Sequence, residues 1–178
     1  MFCLVRQHFF TIIQVVNMVK YVEPRRIYCV GRLDVDSTGV LLLTNDGELT
    51  QKLTHPSFGA AKTYVVTVQG VVEAPAIEKL KKGIYLDGRR TSRAGLKVLN
   101  RSKAITTLEI TLTEGRNREI RRMVERVGHT VLKLKRVAIG PITDRGLGSG
   151  SFRELSRREI NQLRKLTEED AKPQGSKE

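Results

Sequence analysis

The chain has 178 residues, 39% of them hydrophobic, which suits one globular domain with a core and argues against a wholly disordered chain. Its 32 Lys and Arg against 19 Asp and Glu leave a formal net charge of +13, which favours a polyanionic partner, with nucleic acid ahead of an anionic membrane surface. Two cysteines, Cys3 and Cys29, with no C-x-x-C pair argue against a disulfide framework or a zinc site and suit a reducing cytosol, so a cytoplasmic location is expected.

The apolar run from Phe9 to Val16 is far shorter than the roughly 18 residues of a membrane span, and it contains Thr11 and Gln14. Ile12, Val15, Val16 and Val19 fit one face of a helix, which predicts an amphipathic helix packed on the domain. Pro24 and Arg25-Arg26 end that segment, and Ile27 to Val30 reads as a short strand. A polar, turn-rich stretch follows, Gly31-Arg32-Leu33-Asp34-Val35-Asp36-Ser37-Thr38-Gly39, and then an apolar strand from Val40 to Leu43. Asp46 is placed to cap a short helix through Leu53, closed by Pro56.

Lys62 to Gln69 alternates as a strand, with Tyr64, Val66 and Val68 on one face. Pro75 starts a helix with Ile77 and Leu80 inward, and Gly83 ends it. Asp87-Gly88 is a hairpin-type turn, Arg89 to Lys103 is basic and partly strand, and Ile105 to Leu112 is β-rich. Glu114-Gly115-Arg116-Asn117 leads into a helix whose apolar face is Ile120, Met123, Val124 and Val127, with Arg118, Arg121 and Arg122 on another face and Gly128 at its end. Val131 to Ile139 is a further strand, 144–151 a Gly/Ser-rich loop, and Ser156-Arg157-Arg158-Glu159 a capping box opening a last helix to about Leu166. Residues 167–178 read as a polar, disordered tail. Strands and helices interleave irregularly with several hairpin signals, which predicts an α+β fold with a mixed, largely antiparallel sheet and flanking helices.

Three constellations carry candidate chemistry. The acids Asp34 and Asp36, two apart in a Gly-bounded turn, fit a turn in which Asp side chains bond backbone amides. They also fit the D-x-D-x-T nucleophile of Mg²⁺-dependent phosphotransferases, although Arg32 interrupts the apolar strand expected there. A calcium loop would need an acid where Asn45 stands and is rejected. The helical arginines 118, 121 and 122 can bind phosphates, pair with a buried acid or stay solvated, and the Asn and Gly before them open the helix as an anion site. A strand tyrosine such as Tyr64 is ordinarily core, but its face can also stack on an extruded base.

These segments, in this order, resemble the bacterial ribosomal RNA pseudouridine synthases of the RsuA-like type, which act on small- and large-subunit RNA; the B-type enzymes acting on large-subunit RNA are closest in look. The family pattern runs GRLDxxTxGLLLLTNDG, KxY, EGRNRQIRRM and a strand ending R-x-x-x-G. This chain shows GRLDVDSTGVLLLTNDG at 31–47, KTY at 62–64, EGRNREIRRM at 114–123 and RVAIG at 136–140, and the resemblance covers roughly residues 25–166. It implies a pseudouridine synthase catalytic domain over 1–166, isomerising a specific uridine in large-subunit ribosomal RNA, with no metal or organic cofactor, no membrane association and a monomeric chain. Asp34 is then the nucleophile, Tyr64 the base-stacking tyrosine and Arg121 the arginine that salt-bridges the aspartate. Arg32, Lys62, Arg116, Asn117, Arg118 and Arg122 would hold RNA around a flipped-out base. Asp36 is left out of that set because its position varies in the family pattern.

The family ordinarily begins with a small RNA-binding domain and a strand carrying an Asn-Lys-Pro-type segment. The chain is expected to lack both, which leaves one sheet position and RNA targeting in question. Two rival readings follow, a non-catalytic RNA-binding remnant and a D-x-D-x-T phosphotransferase.

Overall fold

A computed structural model describes residues 2–7, 27–55 and 60–169. The amphipathic helix expected around residues 12–19 and the tail beyond Glu169 lie outside the described residues. Eleven strands and four helices are described, α+β as the sequence predicts, and every strand pair given below is antiparallel. No described helix is long and apolar enough to cross a membrane.

The chain divides into two compact units. One comprises residues through Leu33, Gly39–Ala60 and the chain from Gly140 on; the other comprises Asp34–Thr38 and Ala61–Ile139.

In the first unit, strand β1 (Phe2–Gln7) lies between β11 (Phe152–Glu154) and β3 (Thr38–Thr44), and β2 (Tyr28–Val30) pairs with the far end of β3. Strand β1 has no clear signal in the sequence. Neighbouring Cys3 and Leu4 are both fully buried, so the segment lacks the two-residue alternation that marks a half-buried strand. Cys3, Leu41 and Leu43 pack together beneath Ile27, Cys29 and Phe152. Helix α1 (Gly47–Thr54) starts as predicted, with the Asp46 carboxylate accepting from the Leu49 N–H at 2.9 Å. The last helix, α4 (Arg157–Glu169), opens on the expected capping box: the Ser156 N–H donates to Glu159 at 2.9 Å, and Ser156 Oγ accepts from the Glu159 N–H at 3.3 Å. It runs to Glu169 rather than stopping near Leu166.

The second unit is built on β4 (Lys62–Gln69), which pairs along its whole length with β8 (Ile105–Leu112) on one side and with β9 (Val131–Ile139) on the other. Strand β7 (Gly95–Arg101) forms the outer edge beside β8. Helices α2 (Ala74–Lys82) and α3 (Glu119–Arg126) bury Ile77, Leu80, Ile120, Met123 and Val124 against Val66, Val68 and Leu108, as their 3.6-residue periodicity predicts. A small hairpin, β5 (Tyr85–Leu86) and β6 (Arg89–Arg90), turns at Asp87-Gly88. Both turn residues have positive φ (52° and 75°), as a two-residue turn matched to strand twist requires.

Gly83 ends α2 with φ 90°, and a Cβ there would collide with the Thr91 carbonyl oxygen. Gly83→Ala is expected to lower stability by more than about 1 kcal/mol, because it combines left-handed strain with a backbone clash. Urea unfolding of the variant checks this; an unchanged midpoint would contradict the geometry of the α2–hairpin junction.

Candidate active site

The second unit holds every sequence-predicted site residue except Arg32, which is exposed in the first unit. Segment 34–38 is a tight turn, closed by the Ser37 N–H donating to the Asp34 carbonyl at 3.0 Å. Val35 at its tip is fully exposed, and Asp34 is half-buried.

What fixes this turn is Asp36. Arg118 grips its carboxylate with two hydrogen bonds, Nη1 to Oδ1 at 3.1 Å and Nη2 to Oδ2 at 3.0 Å. Arg121 Nη2 donates to the Asp36 carbonyl at 2.8 Å, and its Nε lies 3.2 Å from Oδ2. A second donor of Arg121 meets the Val131 carbonyl at 3.4 Å, so the guanidinium, only 7% exposed, ties the turn to the start of β9. The hydrogen bonds from Arg118 hold the Asp36 carboxyl below the usual carboxylate range, with both arginine charges adding to the effect against the opposing cost of burial. The arginine that the resemblance pairs with Asp34 is therefore placed on Asp36, two residues further on. Asp34 is within electrostatic reach of Arg118, whose pKa is raised first by Asp36 and also by Asp34.

Arg118 and Arg121 thus share Asp36, while Arg122 and Arg116 have partners of their own. Arg118 occupies the N-cap position of α3 with a left-handed backbone (φ 48°, ψ 35°), which turns it toward Asp36. Arg122 pairs with Asp87 in the β5–β6 hairpin. Arg116 is directed inward: Nε donates to Glu114 at 2.9 Å, and its terminal nitrogens donate to the carbonyls of Leu86, Arg89 and Arg90 at 3.4, 3.1 and 2.7 Å. Asn117 is exposed.

Tyr64 is half-buried on β4 in register with Arg136 on β9. Arg136 is 2% exposed and donates a hydrogen bond to the Tyr64 hydroxyl; burial pulls its pKa down, and Tyr64 opposes the shift. Lys62, two residues before Tyr64, has its pKa lowered by burial and by the Arg136 charge, while Glu119 pushes it back up. Glu119 is buried at the first residue of α3, where its Oε2 accepts from the Arg116 N–H at 2.9 Å. Burial, and after it a hydrogen bond and charge from Glu114, push the Glu119 carboxyl up to about 7. Glu114 goes the other way: burial raises it, but the Ser92 N–H, Glu119 and Arg116 together hold it low. Burial thus pushes Glu119 toward its neutral form while its neighbours hold Glu114 in the charged one. The family pattern has Gln here, and a protonated Glu presents the same donor and acceptor.

Sequence reasoning missed Asp36, Glu119 and Arg136. The Arg118–Arg121 spacing was the available signal for Asp36, since residues three apart on a helix can meet one acid. Glu119 was marked only by its departure from Gln. The partner of Tyr64 needed the β4–β9 register, which no local pattern gives. The occupation of Asp36 by two guanidiniums also weighs against a phosphotransferase, which would need that second carboxylate for Mg²⁺.

A model of the RNA pseudouridylate synthase family matches residues 10–126. The ribosomal large subunit pseudouridine synthase B of Bacillus subtilis (strain 168) is 45% identical over 147 residues, covering 82% of this chain and 60% of that protein. The ribosomal large subunit pseudouridine synthase E of Vibrio parahaemolyticus serotype O3:K6 is 38% identical over 153 residues, covering 78% of this chain and 64% of that protein. The chain therefore spans somewhat under two thirds of the length of these relatives. Among solved structures, a pseudouridylate synthase superposes with a TM-score of 0.77 at 29% identity, covering 91% of this chain and 73% of the other. Human RNA pseudouridylate synthase domain containing 1 shares the fold, with a TM-score of 0.59 at 14% identity.

The buried proton on Glu119 gives a signed pH dependence. With its folded pKa raised to about 7 from an unfolded value of 4.5, the native state binds the extra proton. That contribution is fully present below pH 4.5 and lost as pH rises to 7. Glu119→Gln is expected to gain stability on the parent by on the order of 1–3 kcal/mol across this window. Urea midpoints of both proteins at pH 4.5 and pH 8 check it; a difference that does not change with pH contradicts the buried proton.

Proposed function

The chain belongs to the RNA pseudouridylate synthase family, and from that premise we propose that it isomerises a uridine to pseudouridine in ribosomal RNA, with Asp34 as the nucleophile. The observation that carries this reading is the fixed presentation of Asp34. A half-exposed carboxylate sits in a turn whose next acid is clasped by Arg118 and Arg121. The names of the relatives favour large-subunit ribosomal RNA as the substrate.

Uridine and pseudouridine are isomers, so the reaction has no net redox or hydrolytic component and the residues present fit it without a cofactor. The N1–C1′ bond must break, the uracil must turn, and C5 must bond to C1′. The C5 proton leaves and N1 gains one. The Asp34 carboxylate adds covalently, to the ribose carbon or to the base, and departs when the new bond closes. Tyr64 offers its ring to the extruded uracil, and Arg136, bonded to its hydroxyl from within the sheet, keeps that ring from swinging away. A target base in a folded RNA has to leave its stack to reach Asp34, and the basic surface supports the flanking phosphates.

Asp34→Asn is expected to reduce tritium release from C5-labelled uridine in ribosomal RNA to background while RNA binding persists; release at the parent rate would overturn the assignment. Binding without any release by the parent chain would instead favour the non-catalytic remnant. Asp36→Asn loosens the turn without touching substrate. It is expected to lower kcat by roughly 10- to 100-fold with KM little changed, since small misplacements of a nucleophile cost that much. A change confined to KM would contradict its positioning role.

A further inference from the structure

The β5–β6 hairpin lies outside the residues that the proposed reaction uses, yet the structure fixes it firmly. Arg116 binds three of its backbone carbonyls, Arg122 pairs with Asp87 at its turn, and the Glu114 carboxylate accepts from the Ser92 N–H just beyond it. At its base, Thr91 exchanges hydrogen bonds with Ile84: the Thr91 N–H donates to the Ile84 carbonyl at 2.8 Å, and the Ile84 N–H donates to Thr91 Oγ1 at 2.9 Å. A two-residue ladder does not hold a shape by itself. Here the residues around α3 supply what the ladder lacks.

The hairpin displays Tyr85, which is 64% exposed. An aromatic ring so exposed gains little from burial in the chain's own core. The Arg90 guanidinium lies 6.0 Å from the ring centroid, anchored by a hydrogen bond from Nε to the Gly83 carbonyl at 3.3 Å. One side of the ring is thus backed by a cation, and the rest is open to solvent. The charge around it has one sign. From Tyr85 to Lys103 the chain carries four arginines and two lysines against a single acid, Asp87, and Arg122 already neutralises that acid. Arg89, in the hairpin's second strand opposite Leu86, and Arg93, three residues past that strand, are both exposed.

We propose that the β5–β6 hairpin is a second RNA-contact site, in which Tyr85 stacks on an unpaired base and Arg89 and Arg93 hold the phosphates beside it. The inference rests on the RNA reading above and adds a contact away from Asp34. Charge selects a polyanion, and the ring selects one with exposed flat bases, which is single-stranded RNA rather than a duplex. The preformed hairpin also means that little conformational order is lost on binding.

The test uses the full chain and a fluorescently labelled oligouridylate of about twelve nucleotides, within the usual single-strand site size. Fluorescence anisotropy is expected to show binding weakened about tenfold by Tyr85→Ala and retained by Tyr85→Phe, which keeps the ring. The Arg89→Ala, Arg93→Ala double variant is expected to reduce the slope of log affinity against log salt by about 1.4, the value for two phosphate contacts on a single strand. Equal binding by Tyr85→Ala and the parent, equal losses for Ala and Phe, or an unchanged salt slope would each overturn the proposal. Tritium release separates this outcome from a failure of the catalytic reading. If only the hairpin proposal fails, Tyr85→Ala releases tritium from ribosomal RNA with the parent's KM. If only the catalytic reading fails, the parent releases none, yet its oligouridylate binding still depends on Tyr85.

Discussion

A buried guanidinium cannot discard its charge, because arginine stays protonated across the range in which proteins are folded. Arg121 is nearly buried, so the chain around it has to provide two acceptors and a counter-charge, drawn from two distant places in the sequence. The carbonyl and carboxylate of Asp36 come from one, and the Val131 carbonyl comes from the other. That requirement shapes the candidate site. It sets where the 34–38 turn lies against α3 and so fixes the backbone from which Asp34 projects. Removing Arg121 would release the turn; removing only an exposed partner such as Arg118 would take away one arm of the clasp. Ion pairs between exposed groups add little stability, so Arg118 sharpens the geometry more than it stabilises the fold.

The same economy of charge runs through the EGRNREIRR segment. A run of four arginines within seven residues looks like a phosphate-binding face, and helical spacing alone cannot say otherwise. In the folded chain Arg116 holds backbone, Arg118 and Arg121 hold Asp36, and Arg122 holds Asp87. The positive charge still reaches the surface in part, but each side chain has a defined partner within the chain itself. The hairpin that two of them hold in place carries further basic residues outward.

The regular elements of the second unit were legible because their signals are local. Strand β4 alternates over eight residues, α2 has Pro at its start and Gly at its end, and Asp87-Gly88 admits few conformations other than a hairpin turn. The residues that align the site were hidden for the opposite reason. The Arg118–Asp36 bond joins positions 82 apart in sequence, and the Tyr64–Arg136 contact depends on strand register. Strand β1 escaped notice because Cys3 and Leu4 are both inside, so burial erased the alternation that would have marked it. Ordered motifs supplied Asp34, Tyr64 and Arg121 through resemblance, but they did not supply the acid that Arg121 meets.

The clasp on Asp36 makes its partners unequal. If Arg118 is lost first, Asp36 keeps its second partner, and the left-handed strain at position 118 can be relieved by glycine in the same step. If Asp36 is lost first, two guanidiniums are left facing each other with no acid between them, one of them buried. The clasp is therefore lopsided: the acid can spare one arginine, but the buried arginine cannot spare its counter-charge.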